Sequence, residues 1–309
     1  MSTFYAETDL MPTTTRGPFR LTVMMLCVTT VTILWGALTT STGSGMAYAD
    51  WPLSDGQFMP ESSYTQLPHF FEHFHRLFAS STGLIALSIW IWLAISGRAS
   101  RRATRTAFFG GCLVLVQGLI GGTGVLLNLP AVTSVTHGTL AQLTLATFGW
   151  LAYQLSSRYH ETEINSEVAP GTGRKLMLFA LAIVVLQTVV GAVARHTNNT
   201  KALWSHVGNA FVVFLVMTIA TAFAAGKLGK SRGVKGLAQT IVALLILQIV
   251  LGFVALVIRN EAGKSPENVD RLGAATTISF HVLIGAMLTV LIAALAAHVF
   301  RATRRPGVE

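Results

Sequence analysis

Four histidines occupy matched places in this chain: His75, His137, His206 and His281. Each lies a few residues inside a long apolar run. At about 1.5 Å per helical residue, each ring sits roughly 5–12 Å in from the start of its run. Ionisable groups near hydrocarbon are costly, and they mark function by default. Two imidazoles facing each other inside a four-helix bundle make an axial pair for haem iron, so four at matched depth make two such pairs. Three other uses compete. A single membrane histidine is often a hydrogen-bonded polar core residue. Zinc calls for a tetrahedral set, which no Cys, Asp or second imidazole cluster completes here. A proton relay uses imidazoles but needs no matched pairing.

The first of the four lies in Phe70-Phe71-Glu72-His73-Phe74-His75-Arg76. Glu72 precedes His75 by three residues, so the two share a helix face. A desolvated carboxylate beside a bound porphyrin is a candidate catalytic group. The alternative is a structural ion pair with Arg76, in the favourable i, i+4 orientation. Arg76 is itself a candidate for haem propionates, which suit a bidentate guanidinium. Arg195, Arg259 and Arg271 are further cations near the same surface, equally readable as interfacial anchors. The other histidines carry less. His69 and His73, one turn apart, read as interfacial. His196 and His298 end their helices, where the dipole favours a partly positive ring. His160 reads as solvated. Cys27 and Cys112 both lie in apolar runs, so they read as small packing residues, and neither a loop disulfide nor a cysteine metal site is expected.

The elements that position these groups are membrane helices. Of the 309 residues 52% are hydrophobic and only 11% charged, against about 25% charged in soluble domains; mean hydropathy is +0.58. The formal charge of +9 does not imply nucleic acid, because the cations sit in short loops between apolar runs. Eight spans are predicted near 21–42, 69–95, 106–127, 133–156, 176–195, 203–226, 237–258 and 274–300. The first is too long for a signal-peptide core and reads as a retained helix, although Ala47-Tyr48-Ala49 after it mimics a cleavage site. Of the 22 Lys and Arg, 16 fall on one side, among them Arg98, Arg101, Lys230 and Arg305. That side is cytoplasmic by the positive-inside rule, with both termini. Segment 43–68 faces outward and has no Lys or Arg.

An internal repeat organises the chain. Gln117-Gly-Leu-Ile-Gly121, Gln187-Thr-Val-Val-Gly191 and Gln248-Ile-Val-Leu-Gly252 occupy the outward halves of successive odd-numbered spans, with Thr32-Ile-Leu-Trp-Gly36 at the matching place in the first. Gly lets helices approach and Gln bonds across them, so helix packing alone accounts for the motif. Two four-helix halves in the same orientation follow: 21–157 and 176–300, joined by a cytoplasmic linker at 158–175 and flanked by tails at 1–20 and 301–309. A transporter would show broken helices and midplane charge, whereas charge here gathers at the outer ends.

Over essentially its whole length the sequence resembles the haem A synthases. The most specific part is the outer loop Thr42–Gly56, TGSGMAYADWPLSDG, which is similar to the family's Thr-Gly-Ser-Gly…Asp-Trp-Pro segment. Glu72-His73-Phe74-His75-Arg76 fits the family's Glu-x-x-His-Arg, and His137, His206 and His281 fall where its other three ligands lie. The resemblance implies an all-α membrane protein of eight helices in two pseudo-symmetric bundles. It implies oxidation of a haem O ring methyl to a formyl group by successive hydroxylations, for a terminal oxidase. His206 and His281 would then hold a permanent haem b. His75 and His137 would flank the substrate iron, with Glu72 as the acidic residue of the chemistry. Implied partners are a haem O synthase, oxidase assembly factors, the inner-membrane bilayer and an electron donor, for which a quinol is one candidate. Many members carry a cysteine pair in the first outer loop. Here those places read Tyr48 and Ser54, and the loop near His196 to Lys201 also lacks cysteine, so a mechanism built on thiols lacks its residues. The competing reading is a bis-histidine cytochrome that only transfers electrons. It needs the four histidines but neither Glu72 nor the Asp50-Trp51-Pro52 loop.

Overall fold

A computed structural model describes residues 13–97, 99–165, 170–264 and 270–304. Expectations placed on residues 1–12, on Arg98, on the linker at 166–169 and on the tail from Arg305 lie outside the described residues. The order is α1 (Thr13–Ser41), α2 (Ser62–Thr65), α3 (Leu67–Ser96), α4 (Arg101–Leu126), α5 (Ala131–Leu155), α6 (Ser157–Glu161), α7 (Pro170–Thr197), α8 (Thr200–Leu228), α9 (Val234–Lys264) and α10 (Arg271–Ala302). No strand occurs among the described residues; one isolated bridge joins Ser54 and Gln57.

The long helices overrun the apolar runs that predict them, because caps in the polar flanks start them early. Ser100 Oγ accepts from the Ala103 N–H at 3.2 Å and Asn199 Oδ1 from the Ala202 N–H at 3.0 Å. Asp270 Oδ1 accepts from the Leu272 N–H at 3.1 Å. Each bond satisfies a donor that the first helical turn leaves unpaired. Seven of the long helices are long and apolar enough to cross a membrane. The exception is α5, which has the length but carries Thr133, Thr136, His137, Thr139, Gln142 and Thr144. Gln142 and Thr144 are buried and Thr133, His137 and Thr139 half-buried, while Thr136 is exposed.

Helix α1 packs on α3, α3 on α4, α4 on α5, and α5 returns to α1. Likewise α7 packs on α8, α8 on α9, α9 on α10, and α10 returns to α7. The two rings meet where α10 lies against α1 and α5, and α5 against α7. At that seam a Cβ on Gly149 would stand 2.9 Å from Val290 Cγ1, so a small residue is what lets α5 and α10 close.

The apolar core gathers at the arginine-rich end. In the first ring it is built from Met25, Ala86, Ile89, Leu93, Ala107 and Leu151. In the second it runs through Met177, Met217, Ala220, Ile241, Ile292 and Val299. Both clusters stop short of the histidine layer.

Candidate functional site

The structure brings His75 together with His137 and His206 with His281. Ring centroids are 6.2 Å apart in both pairs, with interplanar angles of 81° and 80°. A metal bound at about 2 Å to one nitrogen of each ring, in line with both ring centres, calls for centroids about 6 Å apart. All four rings are half-buried. Among the described residues no cluster of three or more His, Cys, Asp or Glu side chains could hold a metal ion. Each pair thus offers two imidazoles at a spacing that admits a metal between them, without a third ligand among the described residues.

The glycine repeat makes these seats. An ideal Cβ on Gly36 would lie 2.7 Å from His75 Cε1, on Gly121 2.9 Å from His137, on Gly191 2.6 Å from His206 and on Gly252 3.1 Å from His281. Each imidazole lies on bare helix backbone of the preceding span. Three rings are also fixed in tautomer. His75 Nδ1 donates to the Thr32 carbonyl at 3.1 Å, His137 Nδ1 to the Gln117 carbonyl at 3.2 Å and His206 Nδ1 to the Gln187 carbonyl at 3.1 Å. A carbonyl only accepts, so Nδ1 carries the proton and Nε2 keeps the lone pair a metal needs. The glutamine side chains complete a reciprocal clamp. Gln117 Nε2 donates to the His137 carbonyl at 2.7 Å, and Gln187 Nε2 to that of His206 at 2.9 Å. Packing is thus only part of the Gln-x-x-x-Gly role. The fourth copy is looser, because Gln248 Nε2 lies 3.4 Å from His281 Nε2 and His281 Nδ1 has no partner.

Over the first pair lies the outer loop, fastened to α3 by the residues around His75. Glu72 is buried. Its Oε2 accepts from the Tyr48 N–H at 2.9 Å and its Oε1 pairs with the Arg76 guanidinium. Arg76 also donates to the carbonyls of Asp50 (2.8 Å), Leu53 (2.6 Å) and Tyr48 (3.2 Å). Both its terminal nitrogens are therefore engaged with the loop and Glu72. His73, read from sequence as interfacial, is buried: Nδ1 lies 3.0 Å from Ser54 Oγ and Nε2 3.1 Å from Met59 Sδ. His69 meets the Tyr48 ring edge-on at 4.8 Å. The partners of His73 and His69 come from across the loop, which no local spacing announces. Trp51 lies on α4, where a Cβ on Gly122 would approach its ring to 2.4 Å. Burial raises the Tyr48 phenol above its usual pKa. Burial alone would also raise the Asp50 carboxyl, but the Gly56 and Asp55 N–H groups hold it below the ordinary carboxylate range.

The remaining candidates separate. His298 is buried, and its Nδ1 lies 3.0 Å from the Tyr153 hydroxyl; a neighbour on α5, not the α10 dipole, accounts for it. His160 is exposed. Cys27 and Cys112 are free and exposed on the bundle exterior rather than packed inside.

The chain is similar to known proteins over part of its length. The profile of a family described as cytochrome oxidase assembly protein (COX15-CtaA) matches residues 19–211. Curated relatives named heme A synthase include one from Symbiobacterium thermophilum, 30% identical over 58% of this chain and 58% of its own length. Another, from Geobacillus kaustophilus, is 27% identical over 55% of this chain and 53% of its length. A third, from Brucella ovis, is 32% identical over 38% of this chain and 35% of its length. The chain thus aligns with little more than half the length of these relatives, or less.

Proposed function

The chain belongs to the haem A synthase family of cytochrome oxidase assembly proteins, and from that premise we propose that it oxidises a ring methyl of haem O to a formyl group. The reaction proceeds by successive hydroxylations, and the product serves a terminal oxidase. The observation that carries this reading over a plain cytochrome is the buried Glu72 one turn from His75, with the outer loop fastened to it and to Arg76, beside one of two imidazole pairs 6.2 Å between centroids. We assign haem b to His206 and His281 and the substrate haem to His75 and His137. The protein is then an eight-span inner-membrane protein of two pseudo-symmetric halves, α5 included, with both termini cytoplasmic. The two closed rings of helix contacts and the fourfold glycine–histidine seat support that symmetry. Haem O comes from a haem O synthase, and a quinol is one candidate for the electron donor. Each hydroxylation is a two-electron oxidation that replaces a methyl C–H by C–OH, with the oxygen atom and the oxidant supplied from outside the chain, and the diol left by the second loses water to give the formyl group.

Haem b supplies one-electron redox chemistry when bound. The chain's own residues do the rest. The backbone carbonyls of Thr32, Gln117 and Gln187 hold Nε2 of three rings unprotonated and ready to coordinate. The outer loop, fastened by Arg76, covers the first pair and limits its contact with water. Glu72, one turn from His75 and buried, accepts protons as the methyl carbon is oxidised. A second reading of Glu72 is favoured by its contacts with the Tyr48 N–H and Arg76: it anchors the loop. The Tyr48 N–H bonds to Glu72 and Ser54 Oγ lies 3.0 Å from His73 Nδ1, so hydrogen bonds tie the loop to α3 at both of these positions.

The test is to express the full chain with a source of haem O, extract its haem and separate the forms. Hydroxylated and formyl haem are expected beside haem b. Haem b alone would leave only an electron-transfer cytochrome. In Glu72→Gln, formyl haem should fall about a hundredfold, as for loss of a general base. Normal formyl yield in that variant would remove the catalytic role and leave the anchor.

A further inference from the structure

On the assignment of haem to the two histidine pairs, we propose that Arg195 binds a propionate carboxylate of the porphyrin held by His206 and His281, and fastens it to α1 of the other half. Arg195 is half-buried near the outer end of α7. Its Nη2 donates to the Ala37 carbonyl at 2.8 Å and to Ser41 Oγ at 2.6 Å. Ser41 Oγ in turn lies 3.3 Å from Ser279 Oγ on α10. Nε and Nη1 of Arg195 donate to nothing among the described residues. The ion pairs among those residues are Glu72–Arg76 and Glu261–Lys264, so this guanidinium has no carboxylate. A cation placed so within an apolar span is costly until an anion joins it.

Its position says which anion. Arg195 lies four residues, one turn or about 6 Å, outward of Gly191, the seat of His206. Ala37 follows Gly36, the seat of His75, and Ser279 lies two residues before His281. The guanidinium therefore stands just outward of both ring pairs, at their junction. A haem carries two carboxylates on one edge, and Nε and Nη1, which face different sides of the guanidinium, each keep an N–H to give a carboxylate oxygen in a single charge-assisted hydrogen bond. Two neighbouring cations are engaged elsewhere, while Arg271 is exposed at the start of α10. Arg259 closes the end of α7 through the Ala194 carbonyl (3.3 Å) and Asn198 Oδ1 (3.2 Å), and Arg76 holds the loop. Since α1 also seats His75 through Thr32 and Gly36, a carboxylate on Arg195 joins the occupancy of one site to the wall of the other.

The experiment measures transfer of protohaem from the purified full chain to excess apomyoglobin, in the unaltered protein and in Arg195→Gln and Arg195→Lys. Loss of a charged hydrogen-bonded contact should speed haem release about tenfold in Arg195→Gln, with partial recovery in Arg195→Lys and a lowered haem midpoint potential. Protohaem dimethyl ester, which has no free carboxylate, should leave Arg195→Gln and the unaltered chain at the same, faster rate. Equal release of protohaem from Arg195→Gln and the unaltered chain overturns the proposal; a lipid phosphate as the true anion would give that result. Should Arg195→Gln not assemble, protohaem and its ester in the unaltered chain decide, and equal release again overturns it. A chain that takes up no haem at His206 and His281 overturns the functional reading instead.

Discussion

The two rings of helices share one way of seating an imidazole and differ in what lies above it. In the second ring α7 and α8 are joined by Asn198 and Asn199 alone. The equivalent connection in the first ring runs from residue 42 to 66, includes α2, and is tied to α3 by Glu72, His73 and Arg76. Both rings thus rest their imidazoles on a glycine of the preceding helix, and only the first carries a long outer connection. On the proposed function, the shared seats serve haem binding and the elaborated ring is where different chemistry arises.

The largest expected effect tests that division. His206→Ala should abolish the low-spin haem b spectrum and conversion together, whereas His75→Ala should keep the haem b spectrum and lose only conversion. Loss of the same haem from both variants would mean that the copies are not specialised.

A smaller effect tests what the copies share. Alanine for a helical glycine ordinarily stabilises by up to about 1 kcal/mol. Here the added methyl meets an imidazole, so Gly191→Ala should destabilise by about 1–3 kcal/mol, as overpacking does, and lower haem content. The effect should weaken in the order Gly191, Gly36, Gly121, Gly252, following approaches of 2.6, 2.7, 2.9 and 3.1 Å. Thermal unfolding and haem content would show it, and a stabilised Gly191→Ala would count against the seat.

The smallest effect sharpens the contrast between connections. The folded Asp50 carboxyl titrates below its unfolded value, so its contribution is present above the unfolded value and lost as pH falls through the folded one. Amide exchange at Asp55 and Gly56, corrected for its intrinsic pH dependence, should stay flat from neutral pH to about 5 and rise only below about 3.9. The Ala202 N–H, held by the neutral amide of Asn199, serves as the comparison, since that cap carries no proton to gain.

Much of this was legible in the sequence, and the exceptions have physical causes. Apolar runs located the long helices because hydrocarbon demands them. The four histidines stood out because a repeat placed them at one depth. The Gln-x-x-x-Gly motif was visible, but half its work is done by the glutamine's own backbone carbonyl, which no residue type reveals. His73 and His298 were misread because their partners lie 19 and 145 residues away. The short α2 and α6, of four and five residues, are below the length at which periodicity says anything. The polarity of α5, of which Gln142 and Thr144 are buried, lowered its hydropathy.

The placement of the apolar core has a consequence for traffic. The buried side chains that fill each ring lie toward the arginine-rich face, so the four imidazoles stand nearer the opposite one. On the proposed function, the shorter way in and out for a flat porphyrin is through that outer half, sideways between helices or past the Trp51 loop. A carrier for the proposed product would then meet the protein on that side of the bilayer.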